Sequence, residues 1–276
     1  MLDYDNSGQS GYDHVRMNSR NFICPPDLFR YCTTGANVDY CLSSTSDYTY
    51  TPSSTYRYNR GIYGRIPKQL FDPLTTATQL RYVFYNCFNI TPYTWNKGSQ
   101  RGNMLHEDTF AKVGTALQNI EGIFKGMYVP NKISFPNRLF IKNTQLKNLS
   151  WSFAACIFED NEQQFPQTMF DNNRLIENIS YMFSGATTTN VSESSVPIGQ
   201  GLRIIESSLF AKTKQPNIRN VQGFLFKQSN VSGSLPVLWQ YSVSAENMYN
   251  VFYGVKKSNI TNIADVPTSW TTGMTE

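Results

Sequence analysis

The sequence predicts a β-rich repeat solenoid with short helices or turns, folded as a single elongated domain. Two short apolar sequence motifs, here called the first and the second word, recur along the chain in one register. The composition also suits repetitive β structure. The chain has 276 residues, of which 40% are hydrophobic and 14% aromatic, with 16% charged. A chain this apolar buries a core. Its frequent Asn, Ser, Thr and Tyr residues favour turns and strands.

The first word combines a proline with a following apolar pair. It occurs at 135–140 and 165–170, about 30 residues apart. Proline is tolerated where a short helix or turn begins, because no backbone N–H is needed there. The word therefore predicts a short helix or turn whose apolar pair packs inward. Further copies, some looser, lie at 24–29, 66–71, 108–110, 208–210, 235–239 and 266–270.

The second word begins at Asn148 and again at Asn178, also about 30 residues apart. Leu149, Trp151 and Phe153 alternate with serines, and this period of two predicts a strand whose apolar side chains point one way. The asparagines are expected to satisfy backbone groups where the chain bends. The predicted buried ladder comprises Leu80, Phe84, Ile120, Phe124, Leu149, Phe153, Ile179, Phe183, Val221, Phe226, Met248 and Phe252.

The two words together define about seven units and the start of an eighth. A single unit cannot bury its own apolar face, so neighbouring units must stack into a continuous core. The sequence therefore divides into an N-terminal arm or attachment segment at 1–22 and a solenoid at 23–276. A Ser-, Thr- and Tyr-rich insertion occupies 43–62 within the solenoid.

Three copies of the second word resemble a known family. Residues 83–87, 181–186 and 251–254 are similar to the Asn-Val-x-x-Met-Phe-x-Gly-Cys signature of the BspA-like leucine-rich repeats. The resemblance implies a leucine-rich-repeat-like fold without catalysis. Such repeats are known from bacterial surface adhesins and look similar to repeats in structural or tail proteins of gut bacteriophages. Cys87 and Cys156 lie where the family places its cysteine, which implies buried thiols.

The five cysteines form no Cys-x-x-Cys pair, so neither a disulfide framework nor a zinc site is indicated. Cys87 and Cys156 are predicted to be reduced. One unit, the one near Phe124, lies between them, so two unit steps of about 4.8 Å each separate the cysteines. Their Cα atoms are then about 10 Å apart, beyond the roughly 7 Å limit for a disulfide. Any pairing among Cys24, Cys32 and Cys41 stays open.

Tyrosines in and beside the insertion are the candidate binding residues. Insertions in solenoids map to loops on one face, which is often the binding face. Tyrosine offers a large, rigid, amphipathic surface that suits contact with sugar or protein. Packing of the same side chains against the solenoid end as a cap is the alternative. The candidates are Tyr48, Tyr50, Tyr56, Tyr58 and Tyr63.

Two tryptophans are candidate assembly contacts. Residues 266–270 begin an eighth unit without a polar capping repeat, so Trp239 and Trp270 are expected to be partly exposed in an isolated monomer. The sequence therefore predicts an oligomer or a larger polypeptide, with 235–276 or the 1–22 arm in the contact. The expected partners are other structural proteins of the same assembly, because the low-charge, Tyr-rich surface resembles interface composition.

Several classes of function are disfavoured. The net charge of +4, from 24 basic and 20 acidic residues, forms no basic stripe, so nucleic acid is not an expected partner. The longest apolar stretch, about eight residues, is too short to cross a membrane. No cofactor, metal or catalytic site is predicted. His106, Glu107 and Asp108 are consecutive, and their side chains are expected to point in different directions.

The sequence favours a non-enzymatic bacteriophage virion component, a tail or host-contact module located in the virion. A host surface glycan or protein is the further candidate partner. The N-terminus has no secretory signal pattern, and a phage protein does not need export. An exported adhesin on the bacterial cell surface is the alternative. A solenoid polysaccharide-degrading enzyme is the third reading, but it needs a carboxylate pair that the sequence does not display.

Overall fold

A computed structural model describes residues 22–32, 37–43, 62–87, 90–96, 101–130, 132–158, 165–186 and 206–276. The predicted arm at 1–22 lies outside the described residues except for Phe22. The insertion at 43–62 does so except for Ser43 and Ile62.

Regular secondary structure is sparse in the described residues. The strands are β1 (Phe22–Ile23), β2 (Ile62–Tyr63), β3 (Thr94–Asn96), β4 (Arg101–Asn103), β5 (Tyr128–Val129), β6 (Ile133–Ser134) and β7 (Ile157–Phe158). Strands β1 and β2, β4 and β6, and β5 and β7 pair in parallel, whereas β3 and β4 form an antiparallel hairpin. Short 3-10 helices span Gly114–Ala116, Leu238–Gln240, Glu246–Met248, Lys257–Asn259, Ile263–Asp265 and Thr268–Trp270.

The dominant feature is a series of seven stretches, here called core segments, that each begin at an Asn or Gln of the second word. The initial residues of five of them, Gln79, Asn119, Asn148, Asn178 and Asn220, form successive parallel bridges. The backbone of each of these segments also bonds to the next one, and the last of the five bonds to 247–255. The core segments are 37–43, 79–87, 119–127, 148–156, 178–186, 220–228 and 247–255.

The strand predicted for the second word is wrong. Beyond its bridging residue the segment is a succession of turns, in which the Ser152 and Ala154 N–H groups donate to the carbonyls three residues before them (3.2 and 3.0 Å). Trp151 and Ala155 have positive φ values of 59° and 52°. Residues with a left-handed backbone change the direction of the chain, so alternate side chains do not all point the same way. Trp151 therefore lies half-buried, away from the core that contains Leu149.

Two columns of phenylalanines form the centre of the core. In the first, the rings of Phe84, Phe124, Phe153 and Phe183 follow one another with centroid distances of 5.6, 5.3 and 5.7 Å. The second column follows the proline word, and its consecutive centroids are between 5.2 and 5.7 Å apart. Aromatic contacts at this spacing add to the free energy of burial. The second column contains Phe29, Phe71, Phe110, Phe140, Phe170 and Phe210.

The proline word forms the predicted turn. The Leu70 N–H donates to the Pro67 carbonyl (3.1 Å), and the Leu139 N–H donates to the Pro136 carbonyl (3.3 Å). The apolar pairs that follow these prolines, and the pair that follows Pro166, are buried. The prediction of an inward-facing apolar pair is therefore confirmed at these three places.

The predicted buried ladder needs one correction. All of its residues are buried except Met248, which is half-buried against the core. Phe226, however, is not the counterpart of Phe183. The Phe183 N–H donates to the Phe224 carbonyl, which aligns Phe183 with Leu225 and turns Phe226 to the opposite side of the chain. Phe226 is buried there in a second, smaller cluster with Tyr181.

A row of buried amide side chains runs beside the second phenylalanine column. The Asn143 Nδ2 donates to the Phe110 carbonyl (3.1 Å), and the Asn173 Nδ2 donates to the carbonyls of Phe140 (3.2 Å) and Asn143 (2.7 Å). Gln215 makes the equivalent bond to Phe170 (2.7 Å). Each amide thus satisfies backbone acceptors of the preceding unit that burial removes from water.

We expect Asn173→Ala to lower the free energy of unfolding by about 3 kcal/mol, because it removes two buried hydrogen bonds, to the Phe140 and Asn143 carbonyls, and opens a void. Asn172→Ala is the matched control. Asn172 is exposed and its Nδ2 reaches only the Ile141 carbonyl at 3.4 Å, so we expect a loss of about 0.5 kcal/mol or less. Urea denaturation measures both, and equal losses would contradict a structural role for the buried amide.

Candidate functional site

The predicted tyrosine-rich binding site falls largely outside the described residues. Tyr48, Tyr50, Tyr56 and Tyr58 all lie there. The backbone of Tyr63 belongs to β2 and pairs with Ile23 of β1. The structure therefore describes only the point at which the chain returns from the insertion, and the tyrosine site stays a prediction.

The expected exposure of Trp270 is wrong. Trp270 is only 7% exposed, and its ring centroid lies 6.2 Å from that of Phe252 and 6.4 Å from that of Trp239. The residues after Trp270 explain this burial. Met274 is buried, and the backbone of Thr275 forms a parallel bridge with Lys256, the residue directly after the last core segment. Trp239 is half-buried, and its assembly role stays a prediction.

A column of left-handed residues runs along the core segments and was missed by the sequence reasoning. It lies three residues after each initial Asn or Gln, and every member has a φ between 53° and 59°. Aromatic residues rarely adopt this conformation, so their presence there requires a compensating interaction. The members are Tyr40, Tyr82, Gly122, Trp151, Tyr181, Gly223 and Asn250.

Stacking provides that compensation. The Tyr40 and Tyr82 rings are 4.7 Å apart and nearly parallel (5°), and the Trp151 and Tyr181 rings are 4.5 Å apart at 8°. Lys125 lies between these two pairs, with its Nζ 4.1 Å from the Trp151 centroid and 6.0 Å from that of Tyr82. The result is a nearly continuous row of rings and one cation along a face of the chain, here called the aromatic row.

Glycine occupies the left-handed column where an aromatic ring of the preceding segment needs the space. A Cβ added to Gly122 would overlap the Tyr82 ring, and a Cβ added to Gly223 would overlap the Tyr181 ring. The Tyr82 and Tyr181 rings therefore each fit over a glycine in the next segment, whereas the Tyr40 and Trp151 rings stack on a ring there.

Charged groups of the first segments pair across neighbouring segments. The Arg81 Nη2 lies 2.6 Å from the Asp39 Oδ2, and the Tyr82 hydroxyl donates to the Glu121 Oε1 (2.8 Å). Burial, as the larger cause, and this bond to Glu121, as the next largest, raise the pKa of Tyr82 well above its usual value. These groups therefore link neighbouring segments through their side chains.

The two thiols at the end of the second word, Cys87 and Cys156, make equivalent contacts. The Cys87 Sγ lies 3.2 Å from the Leu42 carbonyl, and the Cys156 Sγ lies 3.0 Å from the Phe124 carbonyl. Both residues are buried and carry free thiols, which confirms that prediction. Burial raises the pKa of Cys87 to about 12 and that of Cys156 further. Cys24, Cys32 and Cys41 are free as well.

The His106 side chain differs from expectation. Its Nδ1 lies 3.7 Å from the Asp108 Oδ2, so the predicted divergence of these two side chains is wrong. The same Nδ1 accepts the Asp108 backbone N–H (3.1 Å), and the Asp108 carboxylate instead pairs with the Lys68 Nζ (2.9 Å). The histidine thus caps the start of a turn, with its acceptor nitrogen already occupied.

Within the described ranges, no three His, Cys, Asp or Glu side chains converge as metal ligands. The same part of the chain contains no helix with the length and apolarity needed to span a membrane.

Comparisons with protein-family models, with curated proteins and with solved structures each return no match.

We expect Gly122→Ala to destabilise the protein by about 2 kcal/mol more than Gly114→Ala, because only the first methyl group collides with a packed ring. The two glycines share a φ near 60°, and a Cβ at Gly114 meets nothing within 4 Å, so backbone strain cancels in the comparison. Thermal and urea unfolding measure the difference. A difference near zero would contradict the ring-over-glycine match, whereas adding Tyr82→Ala should reduce it.

We expect iodoacetamide to modify Cys87 and Cys156 in the native protein at least about a hundredfold more slowly than the half-buried Cys32, because the reactive thiolate is scarce at a raised pKa. Below a pKa of about 12, the labelling rate of Cys87 should still rise about tenfold per pH unit. Mass spectrometry after timed labelling measures both. The unfolded chain, in which all five thiols should react alike, is the control.

Proposed function

We propose that this chain is a non-enzymatic structural and recognition module with a leucine-rich-repeat-like solenoid fold, and that it is a bacteriophage virion component of the tail or host-contact type. The observation that carries this proposal is the unbroken run of core segments, each bonded to the next through its backbone and through two phenylalanine columns. Such nearest-neighbour stacking makes a rigid support without requiring a catalytic cleft.

The use of polar groups supports a structural role. Ion pairs connect adjacent units at Asp39 and Arg81, at Lys214 and Asp171 (2.8 Å), and at Arg219 and Glu177. The buried amides and thiols likewise bond to the backbone of a neighbouring unit. Groups that catalytic sites keep available for substrate are here engaged between units.

The proposed partners follow from this role. Other structural proteins of the same assembly would contact the support, and the tyrosines of the 43–62 insertion would meet a host surface glycan or protein. No cofactor takes part in the proposal. The BspA-like resemblance fits a phage tail protein and a bacterial surface adhesin equally well, so the location of the protein decides between them.

Immunogold electron microscopy of the native source, with antibodies against this chain, tests the proposal. We expect label on the tails of phage particles and none on cells that carry no phage. A preimmune serum and particles from an unrelated phage are the controls. Label on the walls of uninfected cells would replace the virion proposal with the adhesin alternative. Release of reducing sugar from host polysaccharide by the purified chain would contradict the non-enzymatic role.

A further inference from the structure

The exposed large apolar side chains of the described residues lie only in the first and last units. Ile23 is 68% exposed and Tyr31 is 87% exposed, and both lie in the first unit, before its core segment. Tyr40, in the first core segment, is 38% exposed, and Tyr249, in the last core segment, is 59% exposed. In the described units between them, the large apolar side chains are buried or half-buried, so the two ends of the ladder differ from its middle.

Beyond the initial residue of each core segment, the backbone bonds to the neighbouring segment run in one direction. In the described segments, only the N–H of the initial residue donates backward, as Asn148 does to the Gln118 carbonyl (3.1 Å). In segment 119–127, the N–H groups of Ile120, Gly122, Phe124 and Gly126 donate to carbonyls of the following segment, at distances between 2.8 and 3.0 Å. The same four positions donate forward at each interface from 79–87 to 247–255. An ordinary parallel strand presents both donors and acceptors along each edge. These segments instead have a mainly accepting edge towards the N-terminus and a donating edge towards the C-terminus.

At the first core segment, the accepting edge lacks backbone donors among the described residues. Its accepting positions are the carbonyls of Asn37, Asp39 and Cys41, and no described residue donates to them. Their counterparts in 119–127 are the carbonyls of Asn119 and Glu121, which accept from the preceding segment. Burying this edge without donors would be costly, so its occupant must bring N–H groups.

The donating edge is incomplete at the last core segment. The N–H of Gly254 donates to the Gly273 carbonyl (2.8 Å), so residues near the C-terminus cover one end of this edge. For the N–H of Asn250, which is half-buried beside the exposed Tyr249, no described residue provides a backbone acceptor. The equivalent N–H groups of Gly122, Trp151 and Tyr181 all donate to the next segment.

We propose, resting on the structural role above, that a second copy of this chain binds head to tail, with the Tyr249–Asn250 edge of one copy against the first core segment of the next. Two accepting edges would face carbonyl to carbonyl, so the hydrogen-bond polarity disfavours a symmetric contact between like ends. The apolar groups at the ends, Ile23, Tyr31 and Tyr249, become buried in the contact. A heterologous contact of this kind forms closed rings or open filaments.

Two variants test the head-to-tail contact. The double variant Ile23→Asp with Tyr31→Asp blocks the accepting end, and Tyr249→Asp blocks the donating end. All three positions are exposed, so the fold should be retained, and circular dichroism with thermal unfolding verifies this. Lys142→Asp, on an exposed residue in the middle of the chain, is the matched control. If an Asp variant unfolds, the corresponding Ser variant replaces it.

Sedimentation velocity over a rising concentration series provides the readout. The unaltered chain and the Lys142→Asp control should form dimers and longer species, and each blocked variant alone should associate at least about tenfold more weakly. An equimolar mixture of the two blocked variants should form heterodimers and nothing larger, because one intact accepting end and one intact donating end remain. That pattern is specific to a head-to-tail contact.

Three results would overturn the inference. The unaltered chain could stay monomeric at every concentration, one blocked variant could associate as strongly as the unaltered chain, or the mixture could fail to form heterodimers. None of these results bears on the virion proposal, because immunogold label on phage tails is independent of contacts between copies. The failure of the inference and the failure of the proposed function are therefore distinguishable.

Discussion

The one-way hydrogen bonding between neighbouring core segments is the constraint on which the rest of the structure depends. It requires every second peptide group to point along the stacking direction, with its N–H forward and its carbonyl backward. Left-handed residues four apart, such as Gly122 and Gly126 or Trp151 and Ala155, produce that orientation. The intervening N–H groups then bond within their own segment, as turns. The backbone polar groups are thus satisfied with hardly any extended strand.

The side chains follow from this backbone. Because each segment contacts its neighbours at a fixed register, equivalent residues form columns, and each column has its own solution. Phenylalanines stack in the core, and amides and thiols bond to carbonyls of the preceding unit. In the left-handed column, each pair of stacked rings is followed by a glycine. The aromatic row offsets the strain of left-handed Tyr82, Trp151 and Tyr181. Stability is therefore distributed among interfaces between neighbours rather than concentrated in one region.

This arrangement bears directly on function. In the proposed role, polar groups engaged between units hold a support in shape, and recognition falls to the insertion and the two ends. The ends carry the exposed Ile23, Tyr31, Tyr40 and Tyr249 and the unmatched edges of the hydrogen-bond ladder. Trp270, which the sequence suggested as a contact, is instead part of the core, so the contact that we propose lies at the edges of the first and last core segments.

The sequence by itself determined the repeat, its two words, the inward apolar pairs and the buried cysteines, because burial selects residue type at each position and leaves a periodic pattern. It could not determine the path of the backbone between those positions. Period-two alternation around Trp151 resembled a strand, but the sign of φ there depends on Tyr181 and Lys125 of neighbouring units, which lie far away in sequence. Phe226 was misaligned for the same reason, since only the bond from Phe183 to Phe224 shows which residue faces the core. The exposure of Trp270 likewise depended on residues folding back over it. Contacts between distant parts of the chain decided these features, because local sequence does not encode the partner that each side chain meets.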